Sequence, residues 1–465
     1  LEPKTTIQGE LDAFLKREGK TINQFAGISA VNSGTLSSII NGNRPIAMQQ
    51  LDRITAGMGL PEGAFYEMYI DECIIHSTPD WRRLGPFLHR CAELDKLECI
   101  RQVVHNLMDN ISYAQALFDT AEEFYRNNKK EAAALLYEGV AESEKYQHSE
   151  RLALCQYRLF TIALGDNQDN NLQAATQFEY FVERLDEADQ LDALHALANI
   201  YISLHRWSKV NILAEEMERK ASIQYQNQYL VTKQRETRKE PARPICFYIL
   251  YAYLLHSAVC HERGEYERAL HYASLYADSG WVREDTEKVR EVKAQFQEWA
   301  IANSYLHRLM AGQMDVLTEY AEFIAARENE ILPALMKIMQ AANRYQFNVD
   351  GIIERFQDQL DFKEQRSRIG IINSRVTWDE YTDLLCEVAA YYFNAQRYEA
   401  AIHYTLKALE YSAKINGDAC VLRCVRLFEE CRHLATIEDQ KKYKTLIGGA
   451  GRMNEKKDSL MPGHY

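Results

Sequence analysis

Three sets of side chains in this sequence are spaced so that they could do chemistry. The first holds sulfur and imidazole: Cys420, Cys424, Cys431 and His433 follow one another at spacings of 4, 7 and 2. Thiolate and imidazole are zinc-type donors. On one predicted helix, however, those spacings lay the three cysteines along one apolar stripe with Val421, Val425 and Leu427. The stripe reads as core, and no metal site is expected. The second set holds side-chain amides: Asn199 in ALANIY, Asn303 in AIANSY and Asn343 in QAANRY, each inside a helical run beside small residues. Asn is mildly unfavourable there, and an amide that both donates and accepts suits a peptide backbone. These are the candidate peptide-binding residues. The alternative is that each faces solvent or tethers a neighbouring helix. Tyr201, Tyr305 and Tyr345 follow them by two and read as packing residues. The third set is small and polar: Asn32, Ser33, Gly34, Thr35, Ser37 and Ser38, with Asn43 and Arg44 just beyond. Such short donors and acceptors let a helix backbone approach base edges in a DNA groove. Thr21, Asn43 and Arg44 are placed to reach phosphates.

Catalytic motifs are missing. There is no P-loop, GxGxxG or HExxH, and the GGAG at 448–451 is not followed by Lys-Ser/Thr. No Ser/His/Asp arrangement can be assembled, so neither an enzyme nor a cofactor is expected.

The elements that must carry the polar set lie in the first 66 residues. Ile7, Leu11, Phe14 and Leu15 mark one amphipathic helix, ended by Gly19. Thr21 caps a second helix with Ile22, Phe25 and Ala26 inward. A short turn follows through Ser29, Ala30 and Val31. The third helix starts near Asn32 or Ser33, turns Leu36, Ile39 and Ile40 inward, and ends at Asn41-Gly42-Asn43. A fourth, about Met48 to Met58, buries Leu51 and Ile54. Helix two, turn and helix three make a helix-turn-helix unit with an exposed polar face. This head carries six basic and six acidic side chains, so the chain's net charge of −13 lies beyond it. A neutral head on an acidic body can touch DNA through the head alone.

The whole chain reads as all-α. Nine prolines and 21 glycines in 465 residues are few, and helix-favouring residues dominate. No apolar run is long enough to span a membrane, and the first residues lack a signal-peptide core. The ten cysteines, Cys73 among them, are scattered singly at apolar positions and read as reduced core thiols of a cytoplasmic protein. A connecting helix and turn occupy 67–84, with a new helix at Trp81. Residues 85–447 form a helical repeat region and 448–465 a tail. In the repeats, a polar turn is followed by a small residue at Ala133, Ala174, Val210, Ala269 and Ala401. The first steps, 41 and 36 residues, suit a helical hairpin. A polar insert at about 224–244 reads as a mobile loop. Each small residue lets the two helices of a hairpin approach, and hairpins must stack to bury both faces.

These features carry two resemblances. The stretch TINQFAGISAVNSGTLSSIINGNRPIAMQQLDRITAGMGLP resembles the Xre/Cro family of helix-turn-helix domains. The resemblance implies base contacts from Asn32, Ser33, Gly34 and Ser38, and phosphate contacts near Thr21 and Asn43. The family usually has Gly in the turn where this chain has Ala30; a left-handed residue there costs about 1 kcal/mol. Ile22 stands where many members have Gln, and the recognition face lacks Arg, Lys and Gln, which leaves weak base readout or reliance on DNA shape. GEYERALHYASLYAD and QRYEAAIHYTLKALE resemble tetratricopeptide repeats. The combination looks like the quorum-sensing peptide receptors of Gram-positive bacteria, the RRNPP family. That implies a homodimeric transcription regulator that binds operator DNA through its head and a short signalling oligopeptide on the concave face of its repeats. The alternative is a helix-turn-helix protein whose repeats bind a protein partner, as scaffold or anti-repressor.

Overall fold

The computed structural model describes residues 6–72, 80–108, 111–165, 167–230, 239–360, 378–415 and 418–458. Among them are 23 α-helices and short 3₁₀ turns, and no strand. No helix among them is long and apolar enough to cross a membrane. Cys73 lies outside the described residues. The chain forms two compact units, Leu1–Ala193 and Leu194–Tyr465.

The first unit opens with α1 (Ile7–Arg17), α2 (Ile22–Ser29), α3 (Ser33–Ile40) and α4 (Met48–Gly57). Side chains satisfy the free N–H groups at the starts of α2 and α3. The Thr21 hydroxyl accepts from Gln24 N–H (3.3 Å) and the Gln24 amide oxygen accepts from Thr21 N–H (2.9 Å), a reciprocal capping box. Asn32 Oδ1 accepts from the N–H of Gly34 (2.9 Å) and Thr35 (3.3 Å). Leu11, Phe25, Leu36, Ile39, Leu51 and Ile54 meet in a fully buried core. α2 and α4 pack so closely that a Cβ on Gly57 would stand 2.9 Å from that of Ser29.

Between α2 and α3 the chain turns through Ala30 at φ 53°, ψ 30°. That left-handed conformation crowds the Ala Cβ against the backbone. Ala30→Gly is therefore expected to stabilise the α2–α3 pair by about 1 kcal/mol, less a part returned as unfolded-state entropy. Amide hydrogen exchange in α2 and α3 should slow severalfold; unchanged or faster exchange would show that the turn carries no such strain.

The head's core continues into the next helices, α5 (Tyr66–Ile70), α6 (Trp81–Glu93) and α7 (Leu97–Leu107). Tyr66 and Tyr69 pack on Phe87 of α6 with ring centroids 5.2 and 5.3 Å apart. The Tyr66 hydroxyl donates to Asp52 (3.0 Å) and that of Tyr69 to the Ile46 carbonyl (2.8 Å). Arg90 on α6 pairs with Asp52 (3.1 Å), Glu62 (3.1 Å) and Glu93 (2.7 Å). One apolar cluster runs from Ile7 to Cys155.

The unit continues through α8 (Ala114–Arg126), α9 (Lys130–Ser143), α10 (Glu150–Ala163) and α11 (Gln168–Phe178); α12 (Glu187–Ser203) crosses its boundary. Arg158 of α10 clamps Glu122 of α8 with bonds of 2.8 and 3.1 Å, and Tyr137 of α9 donates to the same carboxylate at 2.6 Å. Burial alone would raise the Glu122 pKa; the bonds from Arg158 and Tyr137 outweigh it and hold the carboxyl below the usual range.

The second unit holds α13 (Trp207–Leu230), α14 (Ile245–Glu262), α15 (Tyr266–Ala277), α16 (Glu287–Met310), α17 (Leu317–Ala325), α18 (Glu328–Tyr345), α19 (Asp350–Arg355), α20 (Trp378–Asn394), α21 (Tyr398–Ile415), α22 (Asp418–Cys431) and α23 (Ile437–Asp458). Residues 224–230 of the polar insert are helical, as the end of α13, and 231–238 lie outside the described residues. Likewise the GGAG at 448–451 sits inside α23 rather than in a loose tail.

Successive helices pack on one another, α8 on α9 and α9 on α10 in the first unit, α13 through α16 and α20 through α22 in the second. The turns between hairpin arms share one backbone solution. Asp95, Asn128, His205, Gly264 and Gln396 all take positive φ. The next N–H in each case reaches back five residues: Lys96 to Cys91, Lys129 to Phe124, Arg206 to Tyr201, Glu265 to Cys260 and Arg397 to Tyr392, at 2.8–2.9 Å. This is the bond pattern of a Schellman helix end. Five residues after four of these turns stand the small residues Ala133, Val210, Ala269 and Ala401, all buried. The α11 copy is shifted by one: Ala174 is only half-buried, and Ala175 is the buried small residue.

Candidate functional site

The exposed side of α3 gathers the sequence-predicted polar residues. Leu36 and Ile39 are fully buried while Ser33, Thr35, Ser37 and Ser38 are half-exposed and Asn32 and Gly34 exposed. Two of these side chains are already engaged. Asn32 Oδ1 caps its own helix, and the residue is exposed. Ser38 Oγ donates to the Gly34 carbonyl at 2.9 Å and keeps its acceptor lone pairs. Asn43 and Arg44 follow in an exposed turn, and exposed Thr21 caps α2. The face therefore offers hydroxyls, an amide and one guanidinium, with no carboxylate on α3 itself.

Asn199, Asn303 and Asn343 are not brought into one cluster; each is spent on a different neighbour. Asn199 is buried, accepts from the Tyr251 hydroxyl and bonds the His195 imidazole at 3.3 Å. Asn303 donates to the Tyr276 hydroxyl (2.8 Å). Asn343 donates to both the backbone carbonyl (2.9 Å) and the carboxylate (2.8 Å) of Glu387. The tyrosines beside them pack: Tyr201 is buried, Tyr305 lies against Tyr320, and Tyr345 donates to the Met310 carbonyl.

A cavity of about 520 Å³ opens instead in the first unit, between α7, α9 and α10. Val104, Met108, Leu135, Leu152, Leu159 and Phe181 supply its apolar wall, and Arg101, Glu138, Glu142 and Lys145 its charged rim. Gly139 makes room for the α7–α9 approach: a Cβ there would meet Val104 Cγ1 at 2.2 Å. Sequence patterning missed this groove because its lining residues read as ordinary core of two successive hairpins.

A buried polar row joins α14 to α16. Ser257 Oγ lies 2.9 Å from His307 Nε2 and 2.9 Å from the Ala269 carbonyl, and His307 Nδ1 lies 3.0 Å from His261 Nδ1. Burial pushes the pKa of His261 down to about 4 and that of His307 to about 3, so both rings are neutral at physiological pH. Among the described residues no carboxylate is bonded to either ring, and the row ties α14 to α16.

The cysteines of α22 divide. Cys420 and Cys424 turn toward Cys386 of α20, with Sγ–Sγ separations of 2.8 Å (Cys386–Cys420), 3.3 Å (Cys386–Cys424) and 4.0 Å (Cys420–Cys424). Cys431 bonds the Leu427 carbonyl instead, and neither it nor His433 joins the cluster. Hydrogen bonds from Cys386 and Cys424 lower the pKa of the Cys420 thiol, and the bonds Cys386 shares with Cys420 and Cys424 raise its own.

No protein-family model and no curated protein matches the chain. Among solved structures, the Bacillus thuringiensis PlcR in complex with the peptide PapR7 and DNA is similar over 77% of this chain and 100% of its own, at 14% identity and a TM-score of 0.23. At that TM-score the likeness does not establish a shared fold.

Proposed function

We propose that this chain is a peptide-responsive DNA-binding regulator rather than an enzyme. In this reading α2, the turn at Ala30 and α3 act as a helix-turn-helix, with the polar side of α3 in a major groove. The hairpins act as tetratricopeptide-like repeats that take up a short signalling oligopeptide in the cytoplasm. One such head reads only a half-site, so a homodimer on a two-fold operator follows.

The observation that carries the reading is the division of α3. Leu36 and Ile39 are fully buried and Ile40 is partly buried against the same core, and the side chains on the other side are small and polar. A helix serving only as a cap would gain from charged, strongly helix-forming residues there, whereas close approach to a duplex needs short ones. The groove between α7, α9 and α10 supports the ligand half: it has apolar wall to bury side chains and charged rim to orient a backbone. The test is operator binding across the neighbourhood of the protein's own gene, with and without synthetic peptides from any small reading frame found beside that gene. A peptide that shifts the DNA Kd by about tenfold or more, about 1.4 kcal/mol of coupling, is the expected result.

One observation favours a second reading, in which the repeats bind a protein. Asn199, Asn303 and Asn343 are all engaged within the fold and so are poor reporters of a peptide backbone. DNA binding that no peptide alters would move the weight to this scaffold or anti-repressor reading. No DNA binding at all would remove both.

A further inference from the structure

Cys386, Cys420 and Cys424 are at most 6% exposed and lie in the apolar core of the second unit. Among the described residues they form the one group of three or more Cys, His, Asp or Glu whose ligand atoms all lie within 4.8 Å of one another. Cys420 and Cys424 stand one turn apart on α22, so both sulfurs project from the same face. α20 and α22 are fixed beside each other by Arg423, which donates to Glu387 (2.6 Å) and Asp383 (3.4 Å). A disulfide would use two of the three sulfurs at about 2.05 Å, and would leave the third in contact with both for no purpose. Around a pyramidal three-coordinate soft ion with ion–sulfur bonds of about 2.3 Å and S–ion–S angles of about 95°, the sulfurs stand about 3.4 Å apart. The Cys386–Cys424 edge of 3.3 Å already has that size, and small side-chain rotations adjust the other two.

We propose that these three thiols form a binding site for one trivalent thiophilic ion, of which arsenic(III) is the probe. Three arguments select that class. Sulfur donors choose soft ions. Zinc in closed sites is almost always four-coordinate, and among the described residues no fourth donor joins the group. Charge decides the valence: three thiolates are neutralised only by a 3+ ion, whereas a mono- or divalent one leaves net negative charge in an apolar core, at a cost of about several kcal/mol. The neighbouring cation, Arg423, is already committed to Glu387 and Asp383. In the binding step three S–H bonds break and three S–ion bonds form. The three protons leave with the hydroxides of the trihydroxide form of the ion as three waters, and nothing is oxidised or reduced. The bound ion would cross-link α20 to α22 and stabilise the unit by mass action.

The full chain should carry Cys99→Ala, because Cys91 and Cys99 also hydrogen-bond and would otherwise compete. Treated with sodium arsenite under a phosphine reductant, it is expected to bind one arsenic in native mass spectrometry, with the mass of the atom less three hydrogens. Arsenic-edge X-ray absorption should give three sulfur neighbours, and the melting temperature should rise. Adding Cys386→Ala or Cys424→Ala should remove the bound equivalent, while adding Cys431→Ala should leave it. Any one of four results would overturn the assignment: no bound arsenic; fewer than three sulfur neighbours; loss of binding with Cys431→Ala in a chain of unchanged circular dichroism; or zinc displacing arsenic. The sulfur count is made on the parent chain, so the test stands even where a core substitution prevents folding.

Discussion

Replacing Ser33 and Ser38 together with glutamate is expected to abolish measurable operator binding while leaving the fold and ligand binding intact. Both residues lie on the half-exposed side of α3, away from Leu36 and Ile39. Two carboxylates facing DNA phosphates should cost about 3 kcal/mol through like-charge juxtaposition, on the order of a hundredfold in Kd. The substitution is chosen to spare the helix. Ser33 is the first residue of α3, just after the Asn32 cap, where a negative charge meets the positive end of the helix dipole and stabilises it. Glutamate at 38 has good helix propensity. Circular dichroism should therefore be unchanged when fluorescence anisotropy shows the loss. Wild-type DNA affinity in the double variant would remove α3 as the reading element.

The largest stability effect is expected at Arg158. Arg158→Met removes the cation that clamps Glu122 and leaves a carboxylate with Tyr137 as its remaining hydrogen-bond donor, between helices α8, α9 and α10. The two side chains are only 20% and 16% exposed, so water compensates little. Breaking a buried pair from one side typically costs about 3–5 kcal/mol. Denaturant unfolding of the first unit, followed by hydrogen exchange in α8–α10, should show that loss. Adding Glu122→Gln should recover part of it, because an amide can still accept from Tyr137 without carrying charge. A double variant no more stable than Arg158→Met would mean the arginine acts through packing over Tyr125 rather than through its charge.

The helices of the head were legible because their signals are local. Thr21, Asn32 and Gly42 mark ends, and Leu36, Ile39, Leu51 and Ile54 repeat at helical spacing. The left-handed turn at Ala30 was legible only through the resemblance, since alanine gives no local hint of positive φ. The repeats were half-hidden for the same reason: Asp95, Asn128, His205 and Gln396 do the work of the glycine that stands openly at Gly264. A polar turn and the small residue after it betrayed them, and at α11 a run of two alanines misled by one. Tertiary partners were not legible at all. Nothing near Asn343 in sequence announces Glu387, and nothing near Cys420 announces Cys386, because both partners come from α20.

The aromatic seam between the head and α6 has a practical meaning for anyone dividing this protein. Phe87 is covered by Tyr66 and Tyr69, and Arg90 by Asp52 and Glu62. A head excised after α5 would carry two bare tyrosines and an orphaned aspartate, and its body would keep a naked phenylalanine and a stranded guanidinium. Head and body are therefore not interchangeable cartridges. A chimera that borrows this head must borrow α6 with it, and any displacement of α6 carries Tyr66, Tyr69 and Asp52 along with it.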